Sequence, residues 1–316
     1  MPSTKRALTF SLGLLLAVLC GPVAFLATAA PDRYTIPGDV IFPEGIAVEA
    51  SSGDFYVGST TDGTIYRGNR ERGEMEPFLP GGADGRTAAL GMKVDGRGRL
   101  FVAGGGSRAL FVYDLRSRAL LARFDTESAP PAVVNDVALA PDGTAYFTDS
   151  SSPVLYRVTT GPGGELAFAR WLDLRNSPVE YRPMGANLNG IAVTGDGRYL
   201  LAVQTNTGML FRIEIATREI IPVSLGDNDL RGDGLLLEGT TLYGVAGGQI
   251  ATVILAENFL SGRTESVLTD PAFASPTTLA RLDDTLLVVN SQFARRTAGQ
   301  SPVLPFTVAV VPAPPR

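Results

Sequence analysis

Hydrophobic and polar positions alternate in short runs along most of this 316-residue chain, and turn residues separate the runs. In the stretch VVNDVALAPDGTAYFTDS, from Val133 to Ser150, the apolar residues on both sides of Pro-Asp-Gly recur at every second position. This alternation predicts two half-buried strands, and Pro-Asp-Gly is typical of a tight turn between them. Asn135 and Asp136 begin the first strand, where residues of low β-propensity are unexpected.

The same hairpin pattern occurs six times. The repeats begin at Glu44, Leu90, Asn135, Asn189, Asp233 and Ser275. A third apolar segment follows each of the first five hairpins, and a more polar stretch follows that segment. Repeats of about 45 residues with three or four strands are typical of β-propeller blades. We therefore predict an all-β fold, a six-bladed β-propeller with a central channel, as a single domain over residues 30–316. A large β-sandwich accounts less well for the regular period.

A propeller also needs strands that close the ring. The tail PFTVAVV, residues 305–311, is one candidate for pairing with the last blade. The opening segment from Tyr34 to Phe42 is the other. The sequence alone leaves both open.

The first 29 residues predict a secretory signal peptide. Lys5 and Arg6 precede an uncharged apolar run that ends in Ala27-Thr28-Ala29, a small-residue cleavage pattern. We therefore expect an exported protein, secreted or periplasmic, with no stable membrane insertion after cleavage. An uncleaved anchor is the alternative, because the run is long enough to span a bilayer.

The composition excludes several classes of chemistry. The chain has no histidine, and its one cysteine, Cys20, lies in the predicted signal peptide. Mechanisms that need Ser-His-Asp or Cys-His, and zinc sites built on His or Cys, are therefore excluded. The net charge is −5 and no basic stripe is present, so a nucleic-acid partner is not expected. Carboxylates, hydroxyls, amides and an oxygen-bound metal remain for any catalysis.

The first residues of the repeats point to a metal site. Inner strands of a propeller all start at the same rim of the channel, so these residues converge there. Four of the six carry carboxylate or amide oxygens: Glu44, Asn135, Asn189 and Asp233. Two carboxylates and two amides suit Ca²⁺, with Mg²⁺ or Mn²⁺ as alternatives. Asn-Gly and Asp-Gly are also ordinary turn sequences, but each hairpin already has its own turn further along.

These motifs resemble the senescence marker protein/gluconolactonase family, the regucalcin-like six-bladed propellers. The resemblance rests on Pro43-Glu44-Gly45, Asn135-Asp136, Asn189-Gly190 and Asp233-Gly234, in this order and spacing. It implies a divalent ion held by Glu44, Asn189 and Asp233, with Asn135 close to the metal or the substrate. It also implies hydrolysis of sugar lactones or related esters.

Two departures from the family pattern bear on the substrate. Val133 stands where many members carry an arginine that grips substrate hydroxyls, and Ala47-Val48 replaces a stretch that often contains tryptophan. We therefore expect a more apolar lactone or ester rather than a sugar-acid lactone.

The candidate catalytic residue is Asp233, which would activate water or attack the substrate directly. Asn135 is a candidate substrate ligand. So are Tyr181, Arg182 and Met184 in the long segment NSPVEYRPMGAN, residues 176–187, which is otherwise an exposed surface loop. A non-catalytic calcium-binding propeller that serves as an interaction module is the alternative function. A monomer is expected, since no exposed apolar helix or heptad repeat is evident.

Overall fold

The structure is a computed structural model that describes residues 31–126, 129 and 132–314. The predicted signal peptide, residues 1–29, lies outside the described residues, so its cleavage and the start of the domain at residue 30 stay predictions. None of the helices in the described part has the length and apolarity needed to cross a membrane.

Nearly all regular secondary structure in the described residues is strand. The first twelve strands are β1 (Arg33–Ile36), β2 (Pro43–Val48), β3 (Phe55–Ser59), β4 (Ile65–Asn69), β5 (Arg72–Leu79), β6 (Met92–Val94), β7 (Arg99–Ala103), β8 (Ala109–Asp114), β9 (Leu120–Asp125), β10 (Val134–Leu139), β11 (Ala145–Asp149) and β12 (Val154–Thr160). The next twelve are β13 (Leu166–Asp173), β14 (Leu188–Val193), β15 (Tyr199–Gln204), β16 (Met209–Glu214), β17 (Ile220–Val223), β18 (Gly232–Glu238), β19 (Thr241–Ala246), β20 (Gln249–Leu255), β21 (Gly262–Leu268), β22 (Pro276–Leu282), β23 (Thr285–Asn290) and β24 (Phe306–Pro312). Helical structure is confined to a 3₁₀ turn at Ala83–Gly85 and the short helix α1 (Phe293–Thr297) within the same residues.

These strands form six antiparallel four-stranded blades. Blades one to five are consecutive in the chain: β2–β5, β6–β9, β10–β13, β14–β17 and β18–β21. Each inner strand packs against the inner strands of the blades before and after it, and β22 of blade six packs back against β2 of blade one. The predicted all-β, six-bladed propeller is therefore confirmed for the described residues.

Both candidate closing segments take part in blade six. The tail strand β24 pairs with β23, and β1 from the opening segment pairs with β24 in antiparallel register from Arg33↔Ala309 to Ile36↔Phe306. A parallel contact between Thr35 and Glu74 then joins β1 to the outer strand of blade one. The two ends of the described chain thus hold the ring closed by main-chain hydrogen bonds.

Apolar side chains between neighbouring blades form the core. Phe101 of blade two packs with Phe147 of blade three in one such cluster, and Tyr146 and Trp171 lie edge to face in the next, with ring centroids 4.8 Å apart. The middle strands are covered on both faces, so they are apolar almost throughout. Outer strands such as β9 have one face in solvent and alternate between exposed and partly buried residues, which explains why the fourth strand is the least regular part of each repeat.

A β-bulge begins the inner strand of five blades. In blade one the register runs from Pro43↔Ser59 to Ile46↔Val57, so two residues of β2 lie opposite one residue of β3. The same shift begins the inner strands of blades three to six. A bulge redirects the side chains of its residues, here at the rim of the channel. The first bulge residues are Glu44, Asn135, Asn189, Asp233 and Thr277.

The bulge corrects the sequence-based register of the sixth repeat. Its rim residue is Thr277, not Ser275, because β22 begins with Pro276 just as β2 begins with Pro43. The sequence pattern misplaced this position by two residues, since Thr277-Thr278 lacks the acidic or amide side chain that marks the rim residue in blades one, three, four and five.

The second bulge position is usually glycine because neighbouring inner strands come very close there. A Cβ on Gly190 would lie 2.0 Å from the Asp233 carbonyl oxygen, and one on Gly45 would lie 2.0 Å from the Leu90 carbonyl oxygen. The obstructing atoms are backbone, which has little freedom to move. Any side chain at these positions would push two blades apart.

We therefore expect Gly190→Ala to lower the free energy of unfolding by about 1–3 kcal/mol, the usual cost of overpacking. Gly195→Ala in the same blade is the matched control, because its Cβ meets open space and its φ is not positive. Urea unfolding of both variants measures the difference. Equal stabilities would contradict the close approach of blades four and five.

Candidate metal centre at the channel rim

The structure brings the four predicted metal ligands to one rim of the channel. Glu44, Asn135 and Asn189 are 4%, 6% and 5% exposed, and Asp233 is half-buried. They occupy the first bulge position in blades one, three, four and five. Their identities as metal ligands stay predictions, but their common position on the fold is the expected one.

Carboxylates at this rim are electrostatically unfavourable in the metal-free protein. Burial raises the pKa of Glu44 well above its ordinary value, and the negative charges of Asp233 and Asp136 raise it further. Burial, followed by the charge of Asp136, raises the pKa of Asp233 to about 7, although the amide of Asn189 opposes this shift. A cation placed among these groups would remove the repulsion.

Three of the four predicted ligands carry a buried oxygen that has no hydrogen-bond partner among the described residues. These atoms are Glu44 Oε2, Asn135 Oδ1 and Asp233 Oδ1. A buried polar atom without a partner costs about 1–3 kcal/mol, and native proteins rarely leave one without a reason. The three oxygens come from three different blades at the same bulge position, which suits a shared cation.

The candidate donor set depends on amide oxygens as well as carboxylates. Within residues 31–126 and 132–314, no three His, Cys, Asp or Glu side chains are gathered around a common point as metal ligands. Glu44 and Asp233 supply two carboxylates, so a complete set needs Asn135 and Asn189 as well. Such an oxygen-only set fits a hard cation such as Ca²⁺.

Asp136 is a third carboxylate near the rim and was not among the predicted site residues. It occupies the second bulge position of blade three, where blades one, four and five carry glycine. Its Oδ1 accepts from the Val137 N–H at 2.8 Å, and its Oδ2 accepts from the Ile191 N–H of blade four at 3.1 Å. Burial raises its pKa, while the positive charge of Lys93 opposes the shift. Asp136 therefore joins two blades and adds negative charge behind the candidate ligands.

Threonine hydroxyls fix the backbone at the rim. Thr148 donates to the Asn189 carbonyl oxygen at 2.7 Å. Thr277 donates to the Glu44 carbonyl oxygen at 3.1 Å, and Thr278 donates to the same oxygen. Each bond crosses from one blade to the next, so the ligand-bearing strands are held against their neighbours.

The three predicted substrate ligands in residues 176–187 are placed differently from one another. The Tyr181 hydroxyl donates to the Asp149 carbonyl oxygen at 2.7 Å, and its ring packs in the cluster between blades three and four. Burial raises the pKa of this phenol well above its ordinary value. Arg182 is exposed and Met184 is 84% exposed. Tyr181 thus anchors the segment, and contact of all three with substrate stays a prediction.

The raised pKa values predict how metal-free stability depends on pH. In the folded protein Asp233 keeps its proton up to a pKa of about 7, whereas an unfolded aspartic acid ionises near about 4. The folded state binds more protons between these values, so its unfolding free energy falls as pH rises from about 4 to about 7. We expect the Tm in EDTA to fall across this window, and Asp233→Asn to reduce the fall.

Asp39→Asn removes the charge of an exposed aspartate and serves as the control, with the wild-type slope expected. Thermal unfolding in EDTA at a series of pH values measures all three proteins. A wild-type Tm that stays constant or rises over this window would contradict the burial of uncompensated carboxylates at the rim.

Comparison with known proteins shows similarity of structure rather than of sequence. No protein-family model matches the chain, and no curated protein sequence matches it. Among solved structures, it is similar to the major allergen Mala s 1 of Malassezia sympodialis, with a TM-score of 0.66 and 15% identity over 89% of this chain and 96% of that one.

Two further structures are similar over most of both chains. A gluconolactonase from Xanthomonas campestris aligns with a TM-score of 0.61 and 17% identity, over 90% of this chain and 88% of that one. A calcium-binding protein, regucalcin, from Agrobacterium tumefaciens aligns with a TM-score of 0.62 and 15% identity, over 90% and 96%. The resemblance to gluconolactonase and regucalcin-like propellers is therefore confirmed at the level of the fold.

Proposed function

We propose that this protein is a calcium-dependent hydrolase that opens a lactone or cleaves a related ester. The observation that carries the proposal is the group of three buried, unpartnered oxygens at one rim, on Glu44, Asn135 and Asp233. The similar structures described as a gluconolactonase and as a calcium-binding protein support this proposed function. Export of the protein remains part of the proposal.

The proposed ligands are Glu44, Asn189 and Asp233, with Asn135 beside them. The two carboxylates together carry the charge that neutralises a divalent ion. Burial and neighbouring carboxylates raise the pKa values of Glu44 and Asp233, and a cation would offset both effects. Oxygen ligands alone favour Ca²⁺, and Mg²⁺ and Mn²⁺ are the alternatives to be compared.

A bound divalent ion would supply a Lewis acid for a substrate carbonyl. Asp233 would receive the proton of the attacking water, because a carboxylate has a second oxygen left for this purpose. The water oxygen joins the acyl carbon, the acyl–oxygen bond breaks, and the proton passes to the departing alkoxide. A lactone would thus yield a hydroxy acid. Asn135 would orient the substrate through its side-chain amide.

The residues around the rim favour an apolar substrate. Val133, two residues before Asn135, is partly buried and packs, as Leu90 does, in the apolar cluster between blades two and three. Neither offers a charge or a hydrogen bond to sugar hydroxyls. An aliphatic lactone or an aryl ester is therefore proposed over a sugar-acid lactone.

A non-catalytic calcium-binding propeller is the second candidate. The deep burial of Glu44, Asn135 and Asn189 also suits an ion that only stabilises the fold. Calcium would then raise the Tm without supporting any hydrolysis.

Hydrolysis assays decide between these functions. We expect the protein from Ala30 onward to hydrolyse an aliphatic lactone or aryl ester faster than a sugar lactone or an organophosphate, and to lose this activity in EDTA. Asp233→Ala should lower kcat at least about 100-fold, since it removes both a proposed ligand and the proposed base. Asp39→Ala, which changes an exposed carboxylate, should keep wild-type activity.

Activity that survives in EDTA, or in a folded Asp233→Ala variant, would contradict the proposed mechanism. A wild-type protein that binds calcium but hydrolyses none of the four substrates would favour the binding-module alternative. Circular dichroism of each variant confirms that lost activity is not lost folding.

A further inference from the structure

Asn135 hydrogen-bonds to a hydroxyl group that leads to the next blade. Its Nδ2 donates to Ser150 Oγ at 2.7 Å, and this Oγ donates to the Leu188 carbonyl oxygen at 2.8 Å. Ser150 directly follows the second strand of blade three, and Leu188 directly precedes Asn189 on the inner strand of blade four. The chain of bonds therefore runs from one candidate ligand to the backbone beside another.

Asn189 repeats the arrangement one blade further on. Its Nδ2 donates to Thr205 Oγ1 at 3.1 Å, and this Oγ1 donates to the Gly232 carbonyl oxygen at 2.6 Å. Thr205 follows the second strand of blade four, and Gly232 precedes Asp233 on the inner strand of blade five. Two blades thus use the same hydrogen-bond relay at equivalent positions. It consists of an asparagine amide, a side-chain hydroxyl and a backbone carbonyl oxygen of the next blade.

The hydroxyl chemistry determines which way each asparagine amide points. A hydroxyl has a single hydrogen to donate, and a carbonyl oxygen can only accept. The hydrogens of Ser150 and Thr205 are therefore taken by the carbonyl oxygens of Leu188 and Gly232. Each hydroxyl can then only accept from its asparagine, so the asparagine must present its NH₂ group. A flipped amide would place two acceptors against each other.

The opposite end of each amide is consequently an oxygen. For Asn135 this Oδ1 is buried and has no partner among the described residues. The donor and acceptor pattern of the relay alone determines this orientation. The relay thus selects an acceptor, the atom type that a cation needs.

We propose that Ser150 and Thr205 are positioning residues that hold the amides of Asn135 and Asn189 with their oxygens directed at the metal. The inference rests on the proposed metal centre and adds the groups that prepare it. Hydrogen bonds from outer groups commonly orient metal ligands, and their loss typically weakens metal binding 10- to 100-fold.

Blade six supplies a matched control. Ser291 follows the second strand of that blade, and its Oγ donates to the Ser275 carbonyl oxygen at 2.6 Å. The rim residue of blade six is Thr277, so this hydroxyl has no asparagine to orient. Ser291→Ala removes a hydroxyl–carbonyl bond within blade six, and the bond that Ser291 Oγ accepts from the Phe293 N–H, without touching a candidate ligand.

The experiment is a calorimetric Ca²⁺ titration of the metal-free protein, with the Tm of each variant measured in EDTA. We expect Ser150→Ala and Thr205→Val each to raise the Kd for Ca²⁺ about tenfold or more. Thr205→Ser keeps the hydroxyl and should keep the wild-type Kd. Ser291→Ala should lower the metal-free Tm by a similar amount to Ser150→Ala, yet leave the Kd unchanged.

The outcomes separate this inference from the metal proposal. If the wild type and its variants bind Ca²⁺ with equal Kd, the metal centre stands and the positioning role is wrong. If Thr205→Ser is as impaired as Thr205→Val, the effect is one of packing and the relay is again wrong. A wild type that binds no divalent cation overturns both. Thr205 is partly exposed, and valine matches its shape. The comparison of Thr205→Val with Thr205→Ser therefore remains informative even if Ser150→Ala does not fold.

Discussion

The extra residue at the start of the inner strands governs the geometry of the channel mouth. A regular strand would send alternate side chains into the two neighbouring blades, where only apolar groups can be buried. The bulge instead redirects Glu44, Asn135, Asn189 and Asp233 to the rim. Glycines such as Gly45 and Gly190 follow these residues because the adjacent strand leaves no room for a Cβ. The fold thus produces a convergent polar ring within an otherwise apolar architecture.

This ring concentrates buried oxygens that have no hydrogen-bond partner among the described residues. The interfaces between blades bury aromatic and aliphatic side chains on both faces of the middle strands. At the rim, in contrast, burial and mutual repulsion raise the pKa values of Glu44 and Asp233. Hydroxyl bonds from Thr148 and Thr277 hold the strands in place despite this repulsion. Functional sites commonly combine such local instability with a rigid support, and a divalent cation would relieve it.

The sequence predicted local features well and long-range features less well. Hairpins, their period and the polar residues at the repeat starts follow from alternation and turn chemistry, so the blades and the rim were predictable. Thr277 was missed because blade six has no acidic or amide residue to mark the rim position. The roles of Ser150 and Thr205 depend on bonds between blades. Aligning the ends of the second strands would have revealed a hydroxyl residue there in four repeats: Thr60, Ser150, Thr205 and Ser291.

We propose that the rim oxygens of Glu44, Asn135, Asn189 and Asp233 together bind one divalent cation. The most direct measurement is a Ca²⁺ titration of the metal-free protein at pH 7.5, in parallel with Glu44→Gln. We expect one Ca²⁺ per chain in the wild type and a loss of at least about 100-fold in affinity in the variant, because the negative charge of a buried ligand is removed. Absence of binding to the wild type, or equal binding to Glu44→Gln, would contradict it.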